Sequence, residues 1–461
     1  MATVTARAKR EDMTSGPLFF KMLWFALPLM LSGMLQLLFS AMDMVVVGQF
    51  VSSDAVASIG TTYSVTNLLV NLFVGLSVGT SVAVSQGLGA KDDAEVERVV
   101  HTSVTVSVLG GLVLGAVGFF AAKPLLSMMS TPADLLDQAA LYMKIYFLGM
   151  PVTALYNFAS AVLRSSGDTR RPLIFLTIAG VLNVCLNLFF VIVCHMRVEG
   201  VALATILSQA VSAGLVVWWL CRLKTAVHLD LKSLKIHRRA LLKIVKIGVP
   251  AGVQGTLFAL SNVLIQSSVN SFGATAMAGN AASASIEGFE YVALDAPQHA
   301  ALTFTGQNVG AKKPERIRRV LWICMLLETI FGVVFGLVFW IFGKPLIGLY
   351  IPDEPAAMPF AMTRLMVFAI TYALCGYMNV FVGSLRGMGA SLLPTFVTLT
   401  GVCGFRILWI YTFFTLPAFH SLLWLYLSYP ISWALTIVAH GVCYVFVSRK
   451  LKRRWATAKV T

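Results

Sequence analysis

The chain is written twice. Gln86, Gly89, Ala90, Lys91 and Arg98 recur as Gln307, Gly310, Ala311, Lys312 and Arg319, each displaced by 221 positions. At the same displacement Gly111 and Gly115 return as Gly332 and Gly336, and Lys123-Pro124-Leu125 returns as Lys344-Pro345-Leu346. Asn157, Leu163, Arg164, Gly167 and Pro172 reappear as Asn379, Leu385, Arg386, Gly389 and Pro394, displaced by 222. A register held over such a span marks two homologous halves. With 58% hydrophobic and 12% charged residues, and a mean hydropathy of +0.81, those halves have too little polar surface to dissolve in water. They must be membrane bundles.

Apolar stretches of about 20 residues, each enough to cross ~30 Å of hydrocarbon, begin near Phe19, Val56, Val99, Leu135, Leu173 and Val201. A second set begins near Leu241, Ala276, Val320, Phe360, Leu393 and Leu422. The expected fold is therefore all-α and integral to the membrane, with about twelve transmembrane helices. Six crossings return the chain to its starting side, so the halves are parallel rather than inverted repeats. The division is an N-terminal tail at 1–17, an N-lobe at 18–222, a linker at 223–240, a C-lobe at 241–447 and a basic tail at 448–461.

The net charge of +15 falls in alternate connections. One side receives Arg7, Lys9 and Arg10, then Lys91 and Arg98, then Arg164, Arg170 and Arg171, the segments 222–246 and 312–319, Arg386, and the tail. The other receives little beyond Lys123, Arg197 and Lys344. This is the positive-inside pattern, and it places both termini in the cytoplasm. No soluble segment interleaves basic and aromatic residues, so a nucleic-acid partner is not expected. The first apolar stretch is too long for a cleavable signal and lacks a small-residue cleavage site. Leu229, Leu231, Leu234 and Ile236 make the linker partly amphipathic, suited to lying on the inner surface. The seven cysteines sit mostly inside spans without paired spacing, as inert thiols rather than disulfides or metal ligands.

Polar groups inside spans are costly in lipid and are the default functional candidates. Asp43 stands near the outer end of the first span, with Gln36 two turns earlier on the same face. Asn67 and Asn71 form an i,i+4 pair in the second span, Asn183 and Asn187 form another in the fifth, and Asn157 adds an amide from the fourth. If these faces converge, an acid among amides can take and release a proton. Asp43 can also be read as an interfacial residue ending a helix, and the asparagines as glue between helices. The second half has Ile265 at the position equivalent to Asp43. Its acids Glu287, Glu290 and Asp295 lie in the eighth span with Pro297, Gln298 and His299.

Glu287, Tyr291 and Asp295 share a face at i,i+4 spacing. Gln254 and the row Asn262, Gln266 and Asn270 are placed to line the same cavity. This set is expected to bind a cationic substrate or a second coupling ion; alternatively Glu290 sits in water at the cavity mouth. Lys144 and Arg364 read as snorkelling residues near helix ends. Arg406 and Glu328 lie deeper, suited to neutralising partners across helices, and His440 reads as a packed, hydrogen-bonded histidine. Glycines around Gly89 and Gly310 are expected to end long helices at φ > 0, and Pro172 and Pro394 to open others. Gly75-Leu76-Ser77-Val78-Gly79 fits the G-x-S-x-G hydrolase pattern, but inside an apolar helix its glycines suit close packing instead. There is no phosphate-binding G-x-x-x-x-G-K-[ST] loop, which argues against ATP hydrolysis.

The segments LPLMLSGMLQLLFSAMDMVVVGQF, VGLSVGTSVAVSQGLGAKD, LRSSGDTRRP, VLNVCLNLFFVI and TFTGQNVGAKKPERIRR resemble those of the multidrug and toxin extrusion (MATE) transporters, and the likeness runs from about Leu27 to Val447. The resemblance implies two six-helix lobes arranged as a V around a central cavity. It also implies export of organic cations or amphiphilic drugs in exchange for protons or sodium ions, and a coupling acid at Asp43. Many relatives resemble N-x-x-x-D in the fifth span, where this chain has Asn187. The expectation is an inner-membrane antiporter working by alternating access, functional as a monomer in the bilayer, with small organic molecules as substrates. It needs no cofactor beyond the proton or sodium ion that couples transport, and the one metal site to expect is for sodium near Asp43. A lipid-linked oligosaccharide flippase of the same superfamily is the alternative. It should need several cavity arginines or lysines, and the chain shows few deep basic residues. A membrane-embedded enzyme lacks an H-E-x-x-H motif or a nucleophile constellation.

Overall fold

Each apolar stretch winds into a helix. The computed structural model describes residues 13–129, 131–352 and 354–457. The first half holds α1 (Leu18–Phe50), α2 (Ser53–Ala90), α3 (Asp93–Met128), α4 (Ala133–Leu148), α5 (Met150–Ser165), α6 (Arg170–Leu188) and α7 (Val198–Arg222). The second holds α8 (Arg238–Asn270), α9 (Ala274–Gly310), α10 (Pro314–Tyr350), α11 (Met358–Gly387), α12 (Leu392–Thr398), α13 (Phe405–Tyr411) and α14 (Leu422–Thr457). Helices α4 and α5 follow one another across a bend of 46°. Helix α6 runs on as a π-helical turn, Phe189–Val193, and another π-helical turn, Leu399–Gly404, joins α12 to α13. Among the described residues ten helices are long and apolar enough to cross a membrane, eleven when the bent pair is counted as one span. Helix α9, at 37 residues, has the length; its three acids deprive it of the hydropathy.

Local chemistry sets the ends. The Ser52 side chain accepts from the Ala55 N–H (3.1 Å) to start α2, and Asp92 accepts from the Glu95 N–H (3.0 Å) to start α3, which satisfies donors left open in the first turn. The repeat extends to the backbone at the other ends. Lys91 (φ 58°) and Lys312 (φ 52°) are equivalent left-handed residues, as are Gly167 (φ 99°) and Gly389 (φ 85°). The helix-ending turn was expected at the glycines before the lysines, but these stay helical. Gly87 serves packing instead: a Cβ there would lie 2.7 Å from Val96 Cγ2 of α3.

The chain divides into two compact units. Among the described residues the first holds 31–252 and the second 13–30 with 253–457. The lobes at 18–222 and 241–447 assign α1 and α8 whole, whereas both helices change unit along their length. The change comes after Met30 in α1 and after Gly252 in α8, repeat-equivalent positions that each lie two residues past a helical proline, Pro28 and Pro250. In the first unit Ile244 of α8 joins a core with Val100, Phe158 and Val162. Gly75 and Gly79 of α2 let α8 approach, since Cβ atoms there would lie 2.2 Å from Gly252 Cα and from Ile244 O. In the second unit Met22 and Phe25 of α1 pack with Phe304 and Leu321. The repeated Gly111 and Gly332 admit Pro151 and Ala373 in the same way.

The linker after α7 is latched to α3. Val227 and Leu229 are buried, whereas Leu231, Leu234 and Ile236 are exposed. His101 Nε2 accepts from the Asp230 backbone N–H (3.1 Å). A backbone N–H can only donate, so the ring is neutral and its Nδ1–H donates to Glu97 O (2.8 Å). Thr102 Oγ1 accepts from the His237 N–H (3.0 Å). The Ser233 hydroxyl and Lys232 N–H hold the Asp230 carboxyl below the usual range. That turn therefore contributes stability above the ordinary carboxyl pKa and loses it as pH falls through the lowered value. Replacing His101 with alanine should raise hydrogen exchange at the Asp230 amide by about tenfold, the loss of one buried hydrogen bond. Unchanged protection there would show that the latch does not depend on His101.

Candidate functional site

In the first unit a glycine brings two polar faces together. A Cβ on Gly180 of α6 would lie 1.8 Å from Phe39 Cε2 of α1, so the helices meet closely only because that atom is missing. One turn beyond Phe39 is Asp43; beyond Gly180 on the same face come Asn183 and Asn187. Asn187 Nδ2 donates to Asp43 Oδ1 (2.5 Å) and lies 3.4 Å from Asn183 Oδ1. Asn183 Nδ2 reaches Thr205 Oγ1 of α7 (3.5 Å), whose hydroxyl donates to Val201 O (3.0 Å). A polar chain thus runs from the carboxylate through two buried amides to a third helix. A π-helical turn begins two residues beyond Asn187, at Phe189, a feature frequent at functional sites.

The chemistry follows from the donor order. A carboxylate oxygen accepts from an amide N–H far more strongly than a protonated one does, so a proton arriving on Oδ1 weakens the contact from Asn187. A sodium ion would draw on oxygens, and Asn187 Oδ1 is buried with no donor among the described residues. The convergence expected of seven residues holds for Asp43, Asn183 and Asn187. Gln36 is exposed, Asn71 is half-buried, and Asn157 Nδ2 donates to Thr153 O of its own helix (2.9 Å). The side chain of Asn67 lies outside the described residues. Thr205 was not foreseen, because a hydroxyl that can bond its own helix does not stand out in an apolar span.

The second unit holds an ion pair where free acids were expected. Arg364 does not snorkel. Its Nε and Nη2 donate to Glu287 (2.9 and 2.7 Å) and its Nη1 to Asn280 Oδ1 (2.7 Å), and its guanidinium lies 4.8 Å from the Phe368 ring centroid. Ser283 donates to Glu287 (2.8 Å) and Tyr426 to Asn280 (3.0 Å). Asn280 Nδ2 donates to Gln266 Oε1 (2.7 Å), and Gln266 in turn to Asn270 (2.9 Å). Glu290 does not sit in water. It is fully buried, with neither carboxyl oxygen partnered among the described residues. Tyr291 is 40% exposed, and Asp295 pairs with His299 at 3.3 Å.

Deep basic residues are more numerous than the sequence reading allowed. Arg386 and Arg406 are buried and the Arg364 side chain is 11% exposed. Amides and rings on other helices offset their burial. Gln254 Oε1 accepts from Arg386 Nη2 (3.0 Å) and from Thr395 (3.3 Å), and Asn262 Oδ1 accepts from Arg406 (3.3 Å). Arg406 and Glu328, expected to neutralise partners, form no ion pair among the described residues. Glu328 packs on Gly376, where a Cβ would lie 2.3 Å from its Oε2. His440 is buried with Nε2 3.3 Å from Thr398 Oγ1, as expected of a packed histidine.

Comparison with known proteins agrees with this architecture. The model of the MatE family matches residues 28–189 and 250–412, two stretches whose starts are one repeat apart. The probable multidrug resistance protein YoeA of Bacillus subtilis (strain 168) is 26% identical over 435 residues, covering 92% of this chain and 93% of its own. A second probable multidrug resistance protein of that organism, YpnP, is 29% identical over 384 residues, covering 83% and 86%. Among solved structures, a MOP superfamily transporter from Pyrococcus furiosus aligns with a TM-score of 0.86 at 20% identity, covering 96% of this chain and 98% of its own.

Proposed function

The chain belongs to the MatE family of membrane transporters, and from that premise we propose that it exports organic cations or amphiphilic drugs in exchange for protons or sodium ions, with Asp43 as the coupling acid. The observation that carries this reading is the hydrogen bond from Asn187 to Asp43. It gives the carboxylate two alternative partners, an amide donor and a cation. A coupling ion can shift the carrier between two states only by binding them with different affinity. Breaking and remaking this contact supplies such a difference. The alternating basic loops favour an orientation with both termini in the cytoplasm, the bacterial relatives favour a cytoplasmic membrane, and the reading requires only a monomer.

The buried arginines of the second unit favour an anionic substrate and so speak for the flippase alternative. The first unit speaks against it. Among its described residues the buried polar groups are hydroxyls, amides and His101, with no lysine or arginine to meet a pyrophosphate. Purified protein in proteoliposomes loaded with a cationic dye tests the proposal. Efflux should require an imposed proton or sodium gradient, and efflux indifferent to both would refute coupling. The asparagine that replaces the relatives' acid offers a second test. Asn187→Asp sets a second carboxyl within hydrogen-bonding reach of Asp43, so the pair should titrate as one system and the pH profile of transport should shift by about one unit or more. An unchanged profile would mean that the two side chains do not share a site.

A further inference from the structure

The second unit carries a buried, unmatched positive charge at the helix pair where the first unit carries its acid. Ser40 of α1 and Val184 of α6 are repeat-equivalent to Asn262 of α8 and Arg406 of α13. In the first unit Asp43 and Asn187, each three residues on, meet. In the second, Asn262 and Arg406 themselves meet at 3.3 Å. A π-helical turn lies beside each pair, beginning two residues beyond Asn187 in one and ending two residues before Arg406 in the other. The polarity is exchanged: a carboxylate held by an amide in one unit, a guanidinium held by an amide in the other.

The Arg406 side chain is fully buried. Its Nε donates to Ser432 Oγ (3.2 Å) and its Nη1 to Asn262 Oδ1 (3.3 Å). Both acceptors are neutral. Nη2 has no acceptor among the described residues, and no carboxylate there forms an ion pair with this guanidinium. The guanidinium stacks 3.9 Å from the Tyr429 ring centroid, with Phe258 at 5.5 Å and Trp433 at 5.8 Å. Such a charge is stabilised far better by an oxyanion than by one amide and one hydroxyl, because two parallel N–H donors fit two oxygens. Asn262, whose amide holds Nη1, is itself an exposed residue. The carboxyls Glu290 and Glu328, on α9 and α10, are the internal candidates to balance it, yet neither touches it.

We propose that Arg406 receives the phosphate or carboxylate of a flat aromatic amphiphile. The oxyanion displaces Asn262 Oδ1 from Nη1 and takes Nη1 and Nη2 together, with the ring system against Phe258. This rests on the reading of the chain as a carrier of amphiphiles, but binding is measured without any gradient, so its failure leaves the coupling role of Asp43 standing.

Riboflavin and riboflavin 5′-phosphate share one ring system and differ by the anion. Titration of full-length purified protein in detergent, followed by quenching of flavin fluorescence, should show the phosphate form binding at least ~10-fold more tightly, the scale of one charge-assisted contact. In Arg406→Gln the two flavins should bind alike. Asn262→Asp keeps the arginine and the side-chain shape but sets a carboxylate against Nη1. It too should abolish the phosphate preference, read as the ratio of the two affinities, and it decides the matter if Arg406→Gln does not fold. Equal affinities in the wild type, a phosphate preference that survives Asn262→Asp, or no binding of either flavin would overturn the proposal.

Discussion

Asp43→Asn should yield a folded protein that no longer couples efflux to an ion gradient. The substitution keeps the shape of the side chain, and its amide oxygen can still accept from Asn187 Nδ2. The hydrogen bond between α1 and α6 therefore survives at a cost of about 1 kcal/mol or less. What disappears is the carboxylate to which the proposed proton or cation would bind. Neither Asn183 nor Asn187 can replace it, since an amide does not titrate. Gradient-driven dye efflux from proteoliposomes should fall to the level of protein-free vesicles, a loss of at least ~100-fold, while equilibrium dye binding is retained. Efflux at the wild-type rate under either gradient would remove Asp43 from the mechanism.

The largest loss of stability should come from separating Glu287 and Arg364. Their three short contacts lie inside the second unit, and the same guanidinium also holds Asn280. Arg364→Met would leave a buried carboxylate with only Ser283 as donor, and breaking a buried pair from one side costs about 3–5 kcal/mol. Removing both charges in Glu287→Gln with Arg364→Met should be milder than Arg364→Met alone, because nothing charged is stranded. Thermal denaturation in detergent should rank wild type first, the double variant second and Arg364→Met last. Additive losses in the double variant would show that the two residues do not act as a pair. The pairing also bears on substrate selection. Glu287 offers little uncompensated charge to a cation, whereas Asp295, about a third exposed beside His299, is the acid of α9 placed to meet one.

The parts legible in the sequence are those carried by spacing along the chain. The duplication, the start of every span within a few residues, and the amide pair opposite Asp43 all follow from periodicity or from polar residues in apolar stretches. Choices between equally apolar neighbours left no mark. The first turns of α1 and of α8 would bury the same residues against either unit, so their change of unit beyond Pro28 and Pro250 was invisible. Left-handed backbone at Lys91 and Lys312 is a property of φ, not of a lysine side chain, and the nearby glycines drew attention away from it. The bend between α4 and α5 interrupts no apolar pattern. The inward turn of Arg364 leaves no mark in the sequence because its partner Glu287 is 77 residues away, and a charge near a helix end looks alike whether it reaches for headgroups or turns inward.

If a coupling ion and the substrate compete through Asp43, linkage makes that competition countable at equilibrium. In one titration of purified protein with a cationic dye, in weakly buffered detergent containing labelled sodium, protons released and sodium ions displaced should both be measured. Dye binding should expel about one of these ions per protein from the wild type, and none from Asp43→Asn at the same dye occupancy. Release of neither ion from the wild type, or equal release from both proteins, would contradict competition through Asp43.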